Sequence, residues 1–241
     1  MTGSSLRRCV ITGASRGLGF EFARQLAAGG EFVIATCRTP ALAAELRGLL
    51  AGGGLILPLD VSDQVAAIAA ASAVAERVDA VDLLINAAGV EDSAGSTGPV
   101  GNLEGEALVE IYRTNAVGPA LVTQAFAGLL ARSGRGVVLN LTSKRGSLAG
   151  ATDPGGIGYA MSKAALNMLT RKLALELRQD RTTVVAMSPG WVQTDMGGQD
   201  APLTPGESVQ AMLGSVGRLT LTDTGAVLDH DDVLAAEARE R

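Results

Sequence analysis

The sequence is poor in aromatic residues, cysteine and histidine. Only 3% of its 241 residues are Phe, Trp or Tyr, and it contains two Cys and one His. Two cysteines, Cys9 and Cys37, are too few for a disulfide scaffold, and no Cys or His has the spacing of a metal site. The sequence therefore predicts buried thiols, no metal and a reducing, cytoplasmic compartment. Small aliphatic side chains must build the core, since 47% of the residues are hydrophobic.

Basic clusters and long apolar runs are also missing. The 20 Lys and Arg residues against 25 Asp and Glu residues give a net charge of −5. Because nucleic-acid binding needs a basic stripe, no nucleic-acid partner is expected. The longest uncharged stretch, 114–131, contains Asn115 and Pro119, and the apolar run at the amino terminus is interrupted by Gly13 and Arg16. Neither pattern is typical of a membrane span or an export signal, so no membrane partner is expected.

Short runs of Val, Ile and Leu alternate with Ala- and Leu-rich stretches of helical period. This pattern is typical of βαβ units around a parallel sheet. The predicted strands are 8–12, 32–37, 55–59, 82–86, 137–141 and 183–187, with a possible seventh at 226–228, and the predicted helices are 17–28, 41–50, 63–77, 104–131, 159–179 and 206–217. The sequence therefore predicts a single doubly wound α/β Rossmann domain over 1–241, with helices on both faces of about seven parallel strands.

A glycine-rich turn follows the first predicted strand. Gly13, Gly17 and Gly19 open a helix there, and without side chains they would let backbone amides approach a pyrophosphate at the positive helix end. Such a turn can also be no more than a tight connection. The residues after the second strand strengthen the dinucleotide interpretation and indicate which coenzyme is used.

The second predicted strand ends in Cys37 and Arg38. An enzyme that uses NAD usually has a carboxylate here to bind the ribose 2′-hydroxyl. Arg38, together with Arg16 of the glycine turn, instead offers two guanidinium groups to a 2′-phosphate. NADP(H) is therefore predicted in preference to NAD(H), and the alternative is that both arginines are solvated surface charges.

Tyr159 and Lys163 are four residues apart in a predicted helix, and so lie on one face. A nearby ammonium would favour the phenolate and lower the pKa of Tyr159, so that the phenol could exchange a proton with a carbonyl or alcohol oxygen. Ser143 follows the fifth strand, 16 residues earlier, and could bind the same oxygen. The spacing also leaves Ser147 as a weaker candidate for the serine.

These motifs follow one another in the order of a known family. The sequence resembles the short-chain dehydrogenase/reductase family over about 7–228, and the segments 161–168 and 188–198 are similar to its C-factor and sniffer-like carbonyl reductase branch. The motifs are 12–19, Asp60-Val61, 86–89, Asn115, Ser143, Tyr159 with Lys163, and Pro189-Gly190 with Thr194. One departure is Ala87, where the family commonly has a second Asn.

The resemblance implies a catalytic tetrad of Asn115, Ser143, Tyr159 and Lys163. In it, Tyr159 would donate the proton in carbonyl reduction, Ser143 would orient the carbonyl, Lys163 would hold the nicotinamide ribose, and Asn115 would anchor a water. Asp60 and Val61 would contact adenine, and Thr194 the carboxamide. The full predicted cofactor set is Gly13, Ser15, Arg16, Gly17, Leu18, Gly19, Arg38, Asp60, Val61, Asn86, Ala87, Gly89, Tyr159, Lys163, Pro189, Gly190, Val192 and Thr194.

The predicted function is hydride transfer between NADP(H) and a small carbonyl or secondary alcohol substrate. Loops at about 90–103, 144–157 and 191–205 would form the substrate pocket. A homodimer or homotetramer is expected, because the small and apolar residues of helix 159–179 outnumber what one sheet-facing stripe needs. Trp191 is either a pocket wall or an anchor for its loop.

Two other functions stay open at this point. The fold could bind a dinucleotide without turnover, as a sensor or signalling protein. More remotely, Gly13-x-Ser15-x-Gly17 matches the nucleophile elbow of serine hydrolases, with the sole histidine, His230, downstream. An elbow serine normally follows several strands rather than the first. His230 lies in an acidic tail and is therefore expected to be exposed to solvent.

Overall fold

Short aliphatic runs form a parallel sheet that is buried on both faces. The structure, a computed structural model, describes residues 6–91 and 100–230. The strands are β1 (Arg8–Ile11), β2 (Phe32–Cys37), β3 (Leu55–Pro58), β4 (Leu83–Asn86), β5 (Val137–Leu141), β6 (Thr183–Ser188) and β7 (Val227–Asp229). They pair in the order β3-β2-β1-β4-β5-β6-β7. The strand order reverses between β1 and β4, where doubly wound folds bind their ligands.

Helices cover both faces of this sheet. They are α1 (Gly17–Ala28), α2 (Ala44–Leu49), α3 (Gln64–Ala75), α4 (Gly105–Tyr112), α5 (Gly118–Ser133), α6 (Ile157–Glu176) and α7 (Pro205–Val216). Helices α1, α2 and α7 bury Phe22, Leu46 and Met212 on one face, whereas α3, α5 and α6 pack on the other, where Phe126 is buried. The predicted α/β Rossmann fold is thereby confirmed.

The predicted helix 104–131 is wrong in one respect, because it is not continuous. A π-helical turn, Arg113–Val117, separates α4 from α5. Pro119 lies in the first turn of α5 and has no N–H to donate to the carbonyl of Asn115, four residues earlier, so the regular α-helical pattern cannot continue there. The proline was the sequence signal for this break. The break places Asn115 in the π-helical turn.

Other boundaries differ by a few residues. The predicted helix 41–50 is a 3-10 turn, Pro40–Leu42, followed by α2. Helix α6 begins two residues before Tyr159 and passes into a 3-10 turn after Glu176. Of the predicted substrate loop 90–103, residues 92–99 lie outside the described residues, as does the tail 231–241.

The sequence also led to expectations about the two cysteines, membrane-spanning helices and metal sites. Cys9 and Cys37 are both buried free thiols, as predicted, and burial raises the pKa of Cys9 to about 12. Within 6–91 and 100–230, no helix is both long and apolar enough to cross a bilayer. The same residues contain no group of three His, Cys, Asp or Glu side chains that could hold a metal ion.

Candidate active site

The carboxyl ends of the strands border a cleft of about 600 Å³. Most of the predicted cofactor residues line it, namely Gly13, Ser15, Arg16, Gly17, Leu18, Gly19, Arg38, Asp60, Val61, Ala87, Gly89, Tyr159, Lys163, Pro189 and Thr194. They come from loops after β1, β2, β3, β4 and β6 and from helix α6. The parallel sheet brings these distant segments together because the carboxyl ends of all its strands lie at one edge.

The glycine turn packs closely against the end of β4. Gly13 has a φ of 67°, and a Cβ there would lie 2.8 Å from the Cα of Ala88. A Cβ at Gly19 would overlap the carbonyl of Gly13. The hydroxyl of Thr12 accepts hydrogen bonds from the N–H groups of Ala87 and Ala88, at 3.0 and 3.1 Å. Only glycine fits this turn, and its shape leaves backbone amides at the start of α1 for an anion.

Two arginines, Arg16 and Arg38, line the cleft. Arg16 forms an ion pair with Asp195 at 2.9 Å, in which both side chains are more than two-thirds exposed. Such an exposed pair is weak, so it leaves the Arg16 guanidinium able to exchange partners. Arg38 lies near Asp60, and hydrogen bonds from Ser62 together with the charge of Arg38 lower the pKa of Asp60.

Lys163 lies behind Tyr159 on the same face of α6. Its Nζ is 5.4 Å from the centre of the Tyr159 ring and donates a 2.8 Å hydrogen bond to the carbonyl of Leu141. Burial lowers the pKa of Lys163 to about 8, although the negative charge of Glu91 acts in the opposite direction. A Cβ at Gly89 would lie 3.8 Å from the Nζ and 3.3 Å from Oδ1 of Asn115, so Gly89 packs beside both side chains.

The expected lowering of the Tyr159 pKa is not observed. Burial, followed by the negative charge of Glu91, raises the pKa of Tyr159 to about 12, while a hydrogen bond with Ser143 and the charge of Arg145 act in the opposite direction. The ammonium of Lys163 is hydrogen-bonded to the carbonyl of Leu141, and the charges that act on Tyr159 are those of Glu91 and Arg145. The phenol is therefore protonated at neutral pH, which suits a proton donor.

Ser143 occupies the position predicted for the catalytic serine. It caps a short 3-10 turn, Lys144–Gly146, and its hydroxyl accepts the N–H of Arg145 at 3.2 Å. Its hydrogen bond with Tyr159 contributes to the electrostatics of the phenol. The hydroxyl of the alternative, Ser147, instead accepts the N–H of Gly150 at 3.0 Å. The structure thus places Ser143, and not Ser147, against Tyr159.

Asn115 holds the segment after β4 against α6. Its side-chain amide donates to the carbonyl of Val90 at 2.8 Å and to the hydroxyl of Ser162 at 3.0 Å, and its oxygen accepts the N–H of Val90 at 2.9 Å. Ser162 in turn donates to the carbonyl of Tyr159 at 2.7 Å. Asn115 is buried behind the cleft, so its side chain connects the other site residues.

Three predicted cofactor residues do not line the cleft. Asn86 is buried, and its side chain donates to the side chain of Asn140 at 2.8 Å. Successive strand residues point to opposite faces of a sheet, and the side chain of Asn86 packs inside the protein. Val192 is buried and pairs with Leu203 in an isolated bridge. Gly190 forms a turn with a φ of 79°, packed against Leu203.

The expectations for His230 and Trp191 are also resolved. The side chain of His230 is only 15% exposed, which corrects the predicted exposure. It packs against Gly190, where a Cβ would lie 2.9 Å from its Cε1. The Trp191 indole N–H donates to the carbonyl of Gly197 at 2.7 Å, so Trp191 anchors its own loop. It is not among the described residues that line the cleft.

Three residues beside the site were not predicted from the sequence, namely Glu91, Arg145 and Asn167. Glu91 and Arg145 form an ion pair at 3.2 Å beside the site. Asn167 accepts the hydroxyl of Thr142 at 2.6 Å and donates to the carbonyl of Gly146 at 3.2 Å. Its position four residues after Lys163 was a usable signal, since Tyr159, Lys163 and Asn167 share one helical face.

The fold and the cleft together define a dinucleotide-binding α/β protein of the dehydrogenase type. A family model for short chain dehydrogenases matches residues 7–202, and the chain belongs to this family. It is 41% identical over 150 residues to the C-signal of Myxococcus xanthus, covering 62% of this chain and 89% of that protein. It is 30% identical over 244 residues to an uncharacterised oxidoreductase of Schizosaccharomyces pombe, covering 93% and 95%.

Solved structures show the same relationship. The NADPH-bound carbonyl reductase from chicken fatty liver superposes with a TM-score of 0.86 at 35% identity, covering 94% of this chain and 97% of that one. The carbonyl reductase Sniffer of D. melanogaster superposes with a TM-score of 0.88 at 27% identity, with the same coverage. The predicted family, and its C-factor and sniffer-like branch, are confirmed.

Proposed function

We propose that this protein is an NADP(H)-dependent oxidoreductase that reduces a ketone or an aldehyde, or oxidises the corresponding alcohol. The observation that carries the proposal is that the Tyr159 phenol and the Lys163 ammonium lie together in the cleft, with Nζ 5.4 Å from the centre of the ring. Similarity to an NADPH-bound carbonyl reductase supports it.

The described residues fit a dinucleotide. The close approach of Gly13 to Ala88 makes a cradle that any larger side chain would fill. The first amides of α1 would bind the pyrophosphate, and Arg16 and Arg38 would bind the 2′-phosphate. Thr194, which also lines the cleft, would bind the carboxamide. When bound, the nicotinamide supplies or accepts the hydride.

The protein's own residues would handle the proton. In reduction, the phenol of Tyr159 would donate its proton to the carbonyl oxygen, where negative charge would otherwise develop. Ser143 donates a hydrogen bond to the same oxygen. Lys163 binds the ribose and stabilises the phenolate left behind, since an opposite charge favours the ionised form. Asn115 keeps these groups in register through Val90 and Ser162.

The test is NADPH consumption with a panel of ketones and aldehydes. We expect Tyr159→Phe to lower kcat by about 10²–10⁴-fold, the usual value of general acid catalysis, while the Kd for NADPH changes little. Tyr112→Phe is the matched control, because Tyr112 is the only other tyrosine and is exposed on α4. If Tyr159→Phe keeps more than a tenth of the wild-type kcat, Tyr159 is not the acid. NADPH binding without turnover of any carbonyl compound would favour the non-catalytic sensor.

A further inference from the structure

A charged cluster is attached directly to the residues of the candidate active site. Glu91 follows Val90, whose N–H and carbonyl are both bound by Asn115. Arg145 lies two residues after Ser143 and donates its N–H to the Ser143 hydroxyl at 3.2 Å. Glu91 and Arg145 are thus one and two residues away from residues that are fixed at the site.

The cluster has an excess of negative charge. Arg145 contacts Glu91 through Nη1 at 3.2 Å and Asp153 through Nη2 at 3.4 Å. We call Glu91, Arg145 and Asp153 the mouth cluster; its two carboxylates and one guanidinium have a net charge of −1. Lys144, next along the chain, forms an ion pair of its own with Asp229 at 2.7 Å, so this neighbouring pair adds no net charge.

The field of the mouth cluster reaches the reacting groups. Glu91 raises the pKa of both Tyr159 and Lys163. Arg145 acts in the opposite direction on Tyr159, but Glu91 has the larger effect there. At the atoms that would hold a substrate carbonyl, Glu91 therefore contributes more than its partner. A second negative charge at this place is repelled, and salt weakens the repulsion because the Glu91 side chain is 32% exposed.

We propose that the mouth cluster selects uncharged or cationic carbonyl substrates over substrates with a carboxylate near the carbonyl, and that Glu91 is the residue that determines this specificity. This inference rests on the proposed function. Glu91 directly follows Val90, which lines the cleft, and its ion-pair partner Arg145 is bonded to Ser143, so a carbonyl held by Tyr159 and Ser143 brings its substituents close to Glu91. A carboxylate there meets repulsion in the ground state and in the transition state, so the effect falls on kcat/KM.

The experiment compares three benzaldehydes that differ at the para position: a carboxylate, its methyl ester and a trimethylammonium group. We measure kcat/KM for each with NADPH. The ester and the ammonium group also activate the aldehyde by withdrawing electrons, so the ratio of ester to carboxylate is compared with the same ratio in Glu91→Gln. The wild-type ratio should be larger by a factor on the order of five. Each ratio compares substrates on one preparation, so a difference in the folded fraction cancels.

Two variants move the ratio in opposite directions. Glu91→Gln removes the negative charge with little change of shape, and should reduce discrimination against the carboxylate severalfold. Arg145→Gln keeps the N–H bond to Ser143 but leaves both carboxylates unopposed, and should increase the discrimination. Glu176→Gln is the charge-matched control, because Glu176 is exposed at the end of α6, and should match the wild type. Added salt should reduce the wild-type ratio, as expected for a charge effect.

The outcomes separate this inference from the proposed function. Equal use of carboxylate and ester by the wild type, or a preference for the carboxylate, overturns the inference alone, as does an unchanged ratio in Glu91→Gln. Failure of the wild type to reduce any of the three aldehydes, or any member of the wider carbonyl panel, overturns the proposed function and this inference with it.

Discussion

At the scale of single residues, we expect the proposed choice of coenzyme to depend on Arg38 more than on Arg16. Arg38 lines the cleft directly after β2, at the place where a carboxylate would select NAD. Arg16 is already paired with Asp195, so it must leave this partner to bind a phosphate. Both arginines were found from the sequence, but their unequal availability depends on the position of Asp195, 179 residues after Arg16.

We therefore expect Arg38→Asp to move the coenzyme preference towards NADH. A charge-assisted hydrogen bond contributes about 1.5–3 kcal/mol, and its loss lowers kcat/KM for NADPH by roughly 10- to 100-fold. The new carboxylate also repels the 2′-phosphate and accepts a hydrogen bond from the free ribose hydroxyl. Steady-state kinetics with both coenzymes measures the change.

Arg16→Ala serves as the comparison and should cause a smaller loss than Arg38→Asp. Rising ionic strength should weaken NADPH binding more than NADH binding, because only NADPH has the additional phosphate charge. A wild-type protein that uses the two coenzymes within threefold of each other would show that both arginines are surface charges.

At the scale of elements, the turn that contains Ser143 is fixed to α6 by one side chain. Asn167 binds both Thr142 and Gly146, on either side of Ser143. Gly146 itself packs so closely on the helix that a Cβ would lie 2.7 Å from the backbone of Lys163. The serine and the tyrosine come from separate elements, and these contacts set the distance between them.

We expect Asn167→Leu to lower kcat by roughly 10-fold or more, because small misplacements of catalytic groups are costly, while the Kd for NADPH stays close to that of the wild type. Asn167→Asp keeps the acceptor for Thr142 and loses the donor to Gly146, so its kcat should lie between that of the wild type and that of Asn167→Leu. Stopped-flow kinetics measures the turnover of each variant, and a binding titration measures its Kd for NADPH. A wild-type kcat in Asn167→Leu would mean that Gly146 packing alone holds the turn.

The strands and the motif residues could be predicted from the sequence because their signals are local. Runs of β-branched and aliphatic residues predict strands wherever both faces are buried, and β2 and β5 have the predicted bounds. The proximity of Glu91 to Arg145 could not be predicted, since it depends on how two loops 54 residues apart fold over α6. The raised pKa of Tyr159 was missed for the same reason: burial is a property of the assembled site.

At the scale of the whole molecule, Asp82 joins three elements at the edge of the sheet opposite the cleft. It accepts hydrogen bonds from the side chain and N–H of Arg8, at 2.8–2.9 Å, and from Ser133 at 2.6 Å. Burial disfavours the carboxylate, but these hydrogen bonds outweigh it and lower the pKa of Asp82 to about 2. Asp82 thus connects β1 and β4 to the end of α5, and we assign it to stability.

We expect this carboxylate to contribute stability that is present above its unfolded-state pKa of about 3.9 and is lost as the pH falls through about 2. Asp82→Asn should reduce the free energy of unfolding at pH 7 by about 2–4 kcal/mol and flatten its pH dependence between 4 and 2. Urea denaturation across this pH range measures both effects. Asp200→Asn, at an exposed position, is the control. An unchanged slope in Asp82→Asn would place the acid sensitivity elsewhere.

The surface of α6 bears on the expected homodimer or homotetramer. Met161, Met168 and Leu175 are exposed and spaced by seven residues, so they form one apolar stripe along the helix. Helix α4 packs beside α6 and exposes Val109 and Tyr112. The predicted surplus of apolar residues on α6 is thus present, although these three, and not the small residues of the helix, are the exposed ones.

An exposed apolar stripe that continues onto a neighbouring helix is typical of an interface. A second copy of this chain, related to the first by a two-fold axis, would bury the stripe against its own. We expect light scattering at micromolar concentration to give the mass of two or four chains. Met168→Glu should yield a single-chain mass, because it would bury a charge at the centre of the stripe, whereas Val65→Glu on the exposed face of α3 should leave the assembly intact. A wild-type protein with the mass of one chain would contradict the prediction, and an assembled Met168→Glu would place the interface on another face.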